Sequence, residues 1–142
     1  FCSAFGPLEA PFGSLGSFFD FDPQEGSFEA NPPFVPEVMD AMLVRLEALL
    51  GDAARGALSF LVVVPAWGAG VKTCRDLAAS RHARASLKIE ASAHGFCDGA
   101  QHLDSVRDRH RPSSWDTAVT LLQNDAGAAR WPLSAADLDS LF

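Results

Sequence analysis

Residues 57–65, ALSFLVVVP, form an unbroken apolar run that is rich in β-branched side chains. A run of this length and composition is typical of a central parallel strand that is covered on both faces. The segment before it repeats apolar side chains at helical spacing from Val38 to Leu50. Pro36 suits the first helical position, and Gly51 with Asp52 ends the pattern. A helix that leads into a buried strand predicts helices packed on a sheet.

The other segments continue this alternation. Their patterns predict short strands at 16–21, 27–30, 86–92 and 117–125, helices at 73–85 and 134–142, and a loop at 94–105. Ser134 is the expected N-cap of the last helix, with Asp137 three residues on. With 142 residues, of which 48% are hydrophobic, the chain can bury one core. We therefore expect an α/β fold in which residues 1–142 form a single domain segment.

The stretch FEANPPFVPEV, residues 28–38, joins the second strand to the first long helix. The pair Pro32 and Pro33 fixes the backbone and removes two N–H groups, which leaves carbonyl oxygens beside the amide of Asn31. In α/β sheets, ligands bind at the carboxyl ends of the strands, where this stretch lies. The pattern indicates a binding site whose polar groups are hydrogen-bond acceptors. A Pro-rich connector with Phe34 in the core is the structural alternative.

Two acceptors at this spacing suit one chemical task. The exocyclic amine of adenine is a poor nucleophile because its lone pair is delocalised into the ring. The Asn31 side-chain oxygen and the Pro32 carbonyl can hold the two amine hydrogens and aim the lone pair, while Pro33 keeps the backbone rigid. Phe34 can stack on the base. Catalysis would then consist mainly of orientation and electrostatics.

The N-P-P-F sequence of residues 31–34 resembles the motif of amino-methyltransferases that use S-adenosylmethionine. Further segments resemble, in order, the catalytic domain of one family, the phosphorylated RNA polymerase II C-terminal-domain interacting factors. They are PFGSLGSFFDF (11–21), PQEGSFEANPPF (23–34), LSFLVVVPAW (58–67), GAQH (99–102) and TAVTLLQNDAGAARW (117–131). Members of this family are cap-specific adenosine methyltransferases, which modify the 2′-O-methylated adenosine beside the 7-methylguanosine cap of messenger RNA.

The resemblance implies a Rossmann-like class I methyltransferase core, present here as a partial sheet. It implies S-adenosylmethionine as cofactor, capped messenger RNA as substrate, and a nuclear location. Asn31, Pro32, Pro33 and Phe34 are then the catalytic residues that hold the target adenine. The family proteins are longer. We expect the main donor-binding region and a WW domain for the phosphorylated polymerase tail to lie upstream, outside this chain.

Within the chain, Asn31, Ser14 and Gly16 are the candidate donor-binding residues, and short Gly pairs such as GSLG are also common in turns. Gln101 and His102 are candidate substrate contacts by resemblance, with a hydrogen-bonded loop as the alternative. Trp67 follows the central strand and could stack on a cap or base, with a rim position that closes the core as the alternative. In the family pattern a Glu is expected where Ala66 stands, and the loop after Trp67 is expected to be longer. Trp115 and Trp131 are interpreted as packing residues.

Charge is distributed unevenly along the chain. The net charge is −7, but residues 57–112 contain eight basic and five acidic residues. A basic segment in an acidic chain is typical of a local phosphate-binding face. The alternative is a solvated surface, which can have the same composition. Within this segment we select Arg81 and Arg84 as substrate-binding candidates. The basic residues are Lys72, Arg75, Arg81, Arg84, Lys88, Arg107, Arg109 and Arg111.

Other functional classes are weakly supported by the sequence. Cys2, Cys74 and Cys97 lack CxxC spacing, so we expect reduced thiols of an intracellular protein. A metal site could combine His94, Cys97 and His102 with His82 or Cys74, but this spacing matches no standard zinc pattern, and no metal is expected. No apolar run has the length of a membrane span.

Two alternatives to cap methylation remain open: adenine methylation in other RNA or DNA, and a catalytically silent module that binds RNA or caps.

Overall fold

The computed structural model describes residues 1–97 and 110–140. The helices are α1 (Gly6–Glu9), α2 (Pro36–Gly51), α3 (Lys72–Ala79), α4 (Asp125–Arg130) and α5 (Ala135–Asp139). The strands are β1 (Gly26–Ala30), β2 (Leu58–Pro65), β3 (Ala83–Ile89), β4 (Gly95–Cys97), β5 (His110–Pro112) and β6 (Thr117–Gln123). Four of these strands form one sheet in the order β1-β2-β6-β3, and β4 pairs with β5 in a separate two-stranded sheet. The predicted α/β class is therefore confirmed.

The larger sheet is mixed rather than parallel throughout. Strand β2 is central, as the apolar run predicted, and it pairs in parallel with β1, so that Ala30 lies opposite Val62. On its other side it pairs with β6 in the antiparallel direction, with Pro65 opposite Thr117. Strand β3 is antiparallel to β6. As a result, the carboxyl ends of β1, β2 and β3 and the start of β6 share one edge of the sheet.

Helix α2 supplies most of the core. Its predicted start at Pro36 and its last residue, Gly51, are both confirmed, and Asp52 leaves the helical conformation. The apolar stripe of this helix packs against side chains from one face of β2, together with Leu77 of α3 and Leu122 of β6. The buried residues of α2 are Met39, Met42, Leu43, Leu46, Leu49 and Leu50.

Helix α5 covers part of the opposite face. Leu138 is fully buried against Leu61, Ala85 and Leu121. The predicted N-cap is confirmed as a capping box, in which Ser134 accepts from the Asp137 N–H and the Asp137 carboxylate accepts from the Ser134 N–H. Since helices lie on both faces, β2 is buried on both sides over most of its length.

Three segments differ from the sequence predictions. Residues 16–21 do not form a strand, because the Ser17 hydroxyl accepts a hydrogen bond from the Phe19 N–H and starts a short 3-10 helix at 18–20. Helix α3 ends at Ala79, and β3 starts at Ala83 rather than at 86. The segment that was predicted as a loop at 94–105 contains β4.

Within residues 1–97 and 110–140, every helix is too short or too polar to cross a membrane. All three cysteines are free thiols.

Candidate functional site

The N-P-P-F stretch lies at the shared edge of the sheet, directly after the last residue of β1. Asn31 is exposed, and Pro32 is half-buried. Among the described residues, neither the Asn31 side chain nor the Pro32 carbonyl has a hydrogen-bond partner. The Pro33 carbonyl accepts from the N–H of Val35 at 2.7 Å, which turns the chain into α2. Two acceptors are thus held at the end of a rigid connector.

Phe34 lies beside a cleft of about 370 Å³ at the same edge. Its side chain is 36% exposed, so the alternative that placed it in the core is wrong. The ring of Phe96 packs edge-to-face against it, with 6.1 Å between the centroids. The residues that line the cleft are Phe34, Pro65, Phe96, Arg111, Pro112, Ser113, Ser114, Trp115 and Thr117. The cleft therefore combines an aromatic wall with a floor formed by the end of β2 and the start of β6.

Two tryptophans meet at the same edge. Trp67 packs against the main core, and its ring lies edge-to-face on Trp115 at 6.1 Å between centroids. Trp115 is 58% exposed and lines the cleft, so its interpretation as a packing residue is wrong. The Ala66 N–H donates to the Asp116 carbonyl at 2.7 Å, which holds the two segments together.

Asp116 provides the main electrostatic contact at this edge. Its carboxylate lies 2.7 Å from the Lys88 Nζ and accepts from the Ala91 N–H at 2.9 Å. These contacts, the Lys88 hydrogen bond first, hold the pKa of the Asp116 carboxyl below its ordinary value. For the same reason, the pKa of Lys88 is raised, through its hydrogen bonds to Asp116 and then Glu90. Opposite charges thus fix the end of β3 against the start of β6.

Sequence reasoning missed a cluster formed by His94, Phe96 and Thr117. The imidazole of His94 lies 2.9 Å from the Glu90 carbonyl and 2.8 Å from the Thr117 hydroxyl. The sequence signal for this cluster was the glycine at position 95. In the structure, a Cβ at Gly95 would lie 2.5 Å from the Arg111 carbonyl oxygen. A glycine that permits such close backbone approach indicates a packed hairpin rather than an open loop.

Arg81 and Arg84 are not brought to this edge. They line a second cleft, of about 360 Å³, together with His82, Asn124 and Asp125, where β3 begins and β6 ends. Arg84 forms an ion pair with Asp125 at 2.7 Å. Arg81 donates to the His82 ring at 3.2 Å, and no carboxylate within the described ranges pairs with it. The two arginines therefore lie together, at the opposite end of the sheet from Asn31.

The other basic candidates are mostly paired. Lys72 and Arg75 both contact Asp76, and Lys88 contacts Asp116 and Glu90. Gln101 and His102, as well as Arg107 and Arg109, lie outside the described residues. Within 1–97 and 110–140, no group of three or more His, Cys, Asp or Glu side chains is arranged to hold a metal ion.

Ser14 and Gly16 lie in a turn of the N-terminal segment. The Ser14 hydroxyl accepts from the Gly16 N–H at 3.2 Å, and the Gly16 carbonyl accepts from the Ser3 N–H at 2.7 Å. These polar groups are used within the segment itself, and no contact recorded for them reaches Asn31. Of the three donor candidates, only Asn31 therefore lies at the edge of the sheet that carries the aromatic cleft.

Fold and site together define an α/β structure in which an aromatic cleft lies beside the Asn31 amide and the Pro32 carbonyl, at the carboxyl ends of the parallel strands. A family model described as "Phosphorylated CTD interacting factor 1 WW domain" matches residues 1–99. The chain belongs to this family. The expected division into domains, with the WW domain upstream, stays a prediction.

Two relatives are similar over most of the chain. A human protein named mRNA (2′-O-methyladenosine-N(6)-)-methyltransferase is 39% identical over 142 residues, which cover 99% of this chain and 20% of that protein. The mouse protein of the same name is 41% identical over 132 residues, which cover 92% of this chain and 19% of the relative. The chain thus spans about a fifth of the length of the curated relatives it matches.

Proposed function

We propose that this chain is part of a methyltransferase that transfers a methyl group from S-adenosylmethionine to the exocyclic amine of adenosine. The proposed substrate is the 2′-O-methyladenosine that adjoins the cap of messenger RNA. The observation that carries the proposal is the position of Asn31–Phe34 at the carboxyl end of β1, where the Asn31 amide and the Pro32 carbonyl have no hydrogen-bond partner among residues 1–97 and 110–140 and lie beside an aromatic cleft. The names of the human and mouse relatives support the same reaction.

The residues of this chain act on the acceptor base. The Asn31 side-chain oxygen and the Pro32 carbonyl accept the two hydrogens of the adenine amine, which favours a pyramidal nitrogen with its lone pair directed outward. Phe34 stacks on the ring and holds it in this orientation. The amine gains a methyl group and loses one proton to water at the exposed edge. S-adenosylmethionine, when bound, supplies an electrophilic methyl group attached to a sulfonium.

The donor is held mainly by residues outside the described part of the chain. Supporting this, the donor candidates Ser14 and Gly16 are occupied by contacts within the N-terminal segment. Strand β1 is an edge strand in the described sheet, and further strands of the complete protein can pair with its other side. The whole fold is then a Rossmann-like class I methyltransferase core, of which residues 1–142 supply one part.

The cellular setting follows from the same proposal. Capped messenger RNA is the proposed substrate, and the nucleus is the proposed location. The phosphorylated tail of RNA polymerase II is a proposed partner of regions beyond this chain.

The test is methyl transfer from labelled S-adenosylmethionine by the complete protein. Short RNAs that start with A or G, with and without a cap, serve as substrates. We expect transfer only to capped RNA that starts with A. Transfer to uncapped RNA or to DNA would favour a general adenine methyltransferase, and RNA binding without transfer would favour a silent binding module.

The Asn31→Ala variant directly tests whether the Asn31 side chain accepts a hydrogen bond from the adenine amine. We expect kcat to fall by about 10²–10³-fold, by analogy with the loss of one preorganised hydrogen-bond group in other enzymes. Asn31 is exposed, so the melting temperature should not change. The matched control is Gln24→Ala, which removes an exposed amide whose recorded contacts are to Asp22. Full activity of Asn31→Ala would exclude the proposed clamp.

A further inference from the structure

Hairpin β4–β5 forms the wall of the cleft that faces Phe34. Gly95 pairs with Pro112, and Phe96 pairs with Arg111. The rings of Phe34 and Phe96 are inclined at 71°, and each side chain is more than a third exposed. A planar ligand that stacks on one ring therefore meets the edge of the other, which is a favoured aromatic arrangement.

The orientation of Phe96 depends on the residue before the hairpin. The His94 ring lies edge-to-face on Phe96, with 5.6 Å between centroids. The Glu90 carbonyl can only accept, so the His94 Nδ1 carries a hydrogen and donates to it. The Nε2 is hydrogen-bonded to the hydroxyl of Thr117, which is 3% exposed, and in the neutral ring it is the acceptor of that bond. With both nitrogens bonded to fixed groups, the imidazole has one orientation.

The pairing of the hairpin does not itself need the imidazole. The His94 carbonyl accepts from the Ser113 N–H at 3.1 Å, and this backbone contact extends the pairing of β4 with β5. What the side chain adds is a fixed surface for one face of the cleft. A contact series runs from Thr117 through His94 to Phe96 and on to Phe34.

We propose that Phe96 is a second nucleobase-contacting residue, and that His94 is its positioning residue. The inference rests on the proposed function, since it assigns the ligand of the cleft as an adenine nucleotide at the end of an RNA strand. The base stacks on Phe34 while its rim meets the ring of Phe96. The hydrogen bonds of His94 keep that ring in place before the base arrives, which lowers the ordering cost of binding.

A double-mutant cycle on the complete protein tests this proposal. The probe is a short capped RNA that starts with A and carries a fluorophore at its far end, and the measured quantity is its Kd. Phe96→Ala should raise Kd on the order of tenfold. His94→Ala should raise it to a similar extent but add little in the Phe96→Ala background, because the two residues act in series. Thr117→Val, which removes only the hydroxyl, should reproduce part of the His94→Ala effect.

A purely structural role predicts a different pattern. In that case His94→Ala would lower the melting temperature and weaken RNA binding equally with and without Phe96. Additive losses, or an unchanged Kd for Phe96→Ala, would overturn the proposal. Phe96→Leu keeps an apolar contact with Phe34 but has no aromatic ring, so it replaces Phe96→Ala if that variant does not fold, and it should also weaken binding.

The readout separates this inference from the proposed function. If the protein binds RNA through Phe96 but transfers no methyl group, the proposed function fails and the aromatic contact stands. If the protein methylates capped RNA while Phe96→Ala and Phe96→Leu bind normally, only the inference fails. A complete protein that does not bind the probe at all would overturn both.

Discussion

Asp116 joins three segments at the edge of the sheet where the candidate site lies. Its carboxylate contacts Lys88 and the N–H of Ala91, and its carbonyl accepts from Ala66. It stands between Trp115 and Thr117, both of which line the cleft. One ionised side chain thus connects the end of β3 to the residues that shape the cleft.

This arrangement predicts a pH-dependent contribution to stability. The pKa of Asp116 is lowered on folding, so its ionised form favours the folded state. The contribution is complete above the unfolded pKa of about 4 and is lost as the pH falls through the lower folded value. The Asp116→Asn variant should therefore have a lower free energy of unfolding than the wild type at pH 7.

Urea unfolding between pH 2 and pH 7 measures this effect. The difference between wild type and Asp116→Asn should shrink as the solution becomes acidic. Asparagine retains an acceptor for the Ala91 N–H, so the variant isolates the charge. Identical curves for the two proteins across the range would show that the ion pair with Lys88 contributes nothing.

Individual residues were predicted with uneven success. The Asn31–Phe34 stretch could be located because a proline pair after a short strand has few possible structures. The exposure of Trp115 was missed, because an aromatic side chain in the sequence looks the same at a cleft rim and in a core. His94 was considered only as a metal ligand. Its contact with Glu90 is local, across the short 3-10 helix at 91–93, but its contact with Thr117 arises only from the tertiary fold.

Helix α4 illustrates how a short element is fixed by a single side chain. The Asn124 oxygen accepts from the Gly127 N–H at 2.7 Å, as an N-cap, and from the Leu58 N–H at 3.0 Å. Its amide nitrogen donates to the Gly56 carbonyl at 2.8 Å. Gly127 packs so closely that a Cβ would lie 2.2 Å from the Leu58 carbonyl. The end of β6 is thereby fastened to the start of β2.

We expect Asn124→Ala to destabilise the protein by about 3 kcal/mol, the sum of a lost N-cap and a buried N–H left without a partner. Thermal or urea unfolding measures the loss. Asn124→Asp is the matched control, since it keeps the acceptor for both N–H groups but loses the donor to Gly56, and its loss should be smaller. If the two variants lose equal stability, the loss comes from the hydrogen bond to the Gly56 carbonyl and not from the two N–H groups.

Elements with strong patterns were predicted well, and those decided by tertiary contacts were not. The helix from Pro36 to Gly51 follows from its apolar spacing and its end signals. Residues 16–21 have an apolar pattern that also suits a strand, but Ser17 caps a short 3-10 helix there. Strand β4 is three residues long and depends on its pairing with β5, so its own sequence carries almost no signal.

At the scale of the whole sheet, the arginine pair Arg81 and Arg84 and the aromatic cleft lie at opposite ends. Arg81 and Arg84 lie at the end of the sheet where β6 finishes, and Phe34 lies at the other. Between these ends, the part of β2 that pairs with β6 extends from Ser59 to Pro65, a distance of roughly 20 Å at about 3.3 Å per residue. Arg81 and Arg84 are therefore too far from the cleft to contact a nucleotide bound there, and under the proposed function an RNA would have to cross the sheet to reach them.

Reversing both charges, with Arg81→Glu and Arg84→Glu, should weaken the binding of long RNA and spare a capped dinucleotide. The neutral pair Arg81→Gln and Arg84→Gln should reduce the salt slope of log K by about 1.4, the value for two lost phosphate contacts on a single strand. Anisotropy titrations from low to high salt measure both effects. Binding that is unchanged for every RNA length would identify these arginines as ordinary solvated surface, since Arg84 already has Asp125 as a partner.

The strand order also has a consequence for biosynthesis. Strand β1 and helix α2 can dock on β2 as soon as they leave the ribosome, because they are adjacent in sequence. The other edge of β2 stays unpaired until β6 has been synthesised, since Pro65 pairs with Thr117 and Ser59 with Gln123. At roughly 5–20 residues per second, an apolar strand edge stays open for several seconds of translation. Nascent chains that stop before β6 are thus the species most prone to aggregate and most in need of chaperones.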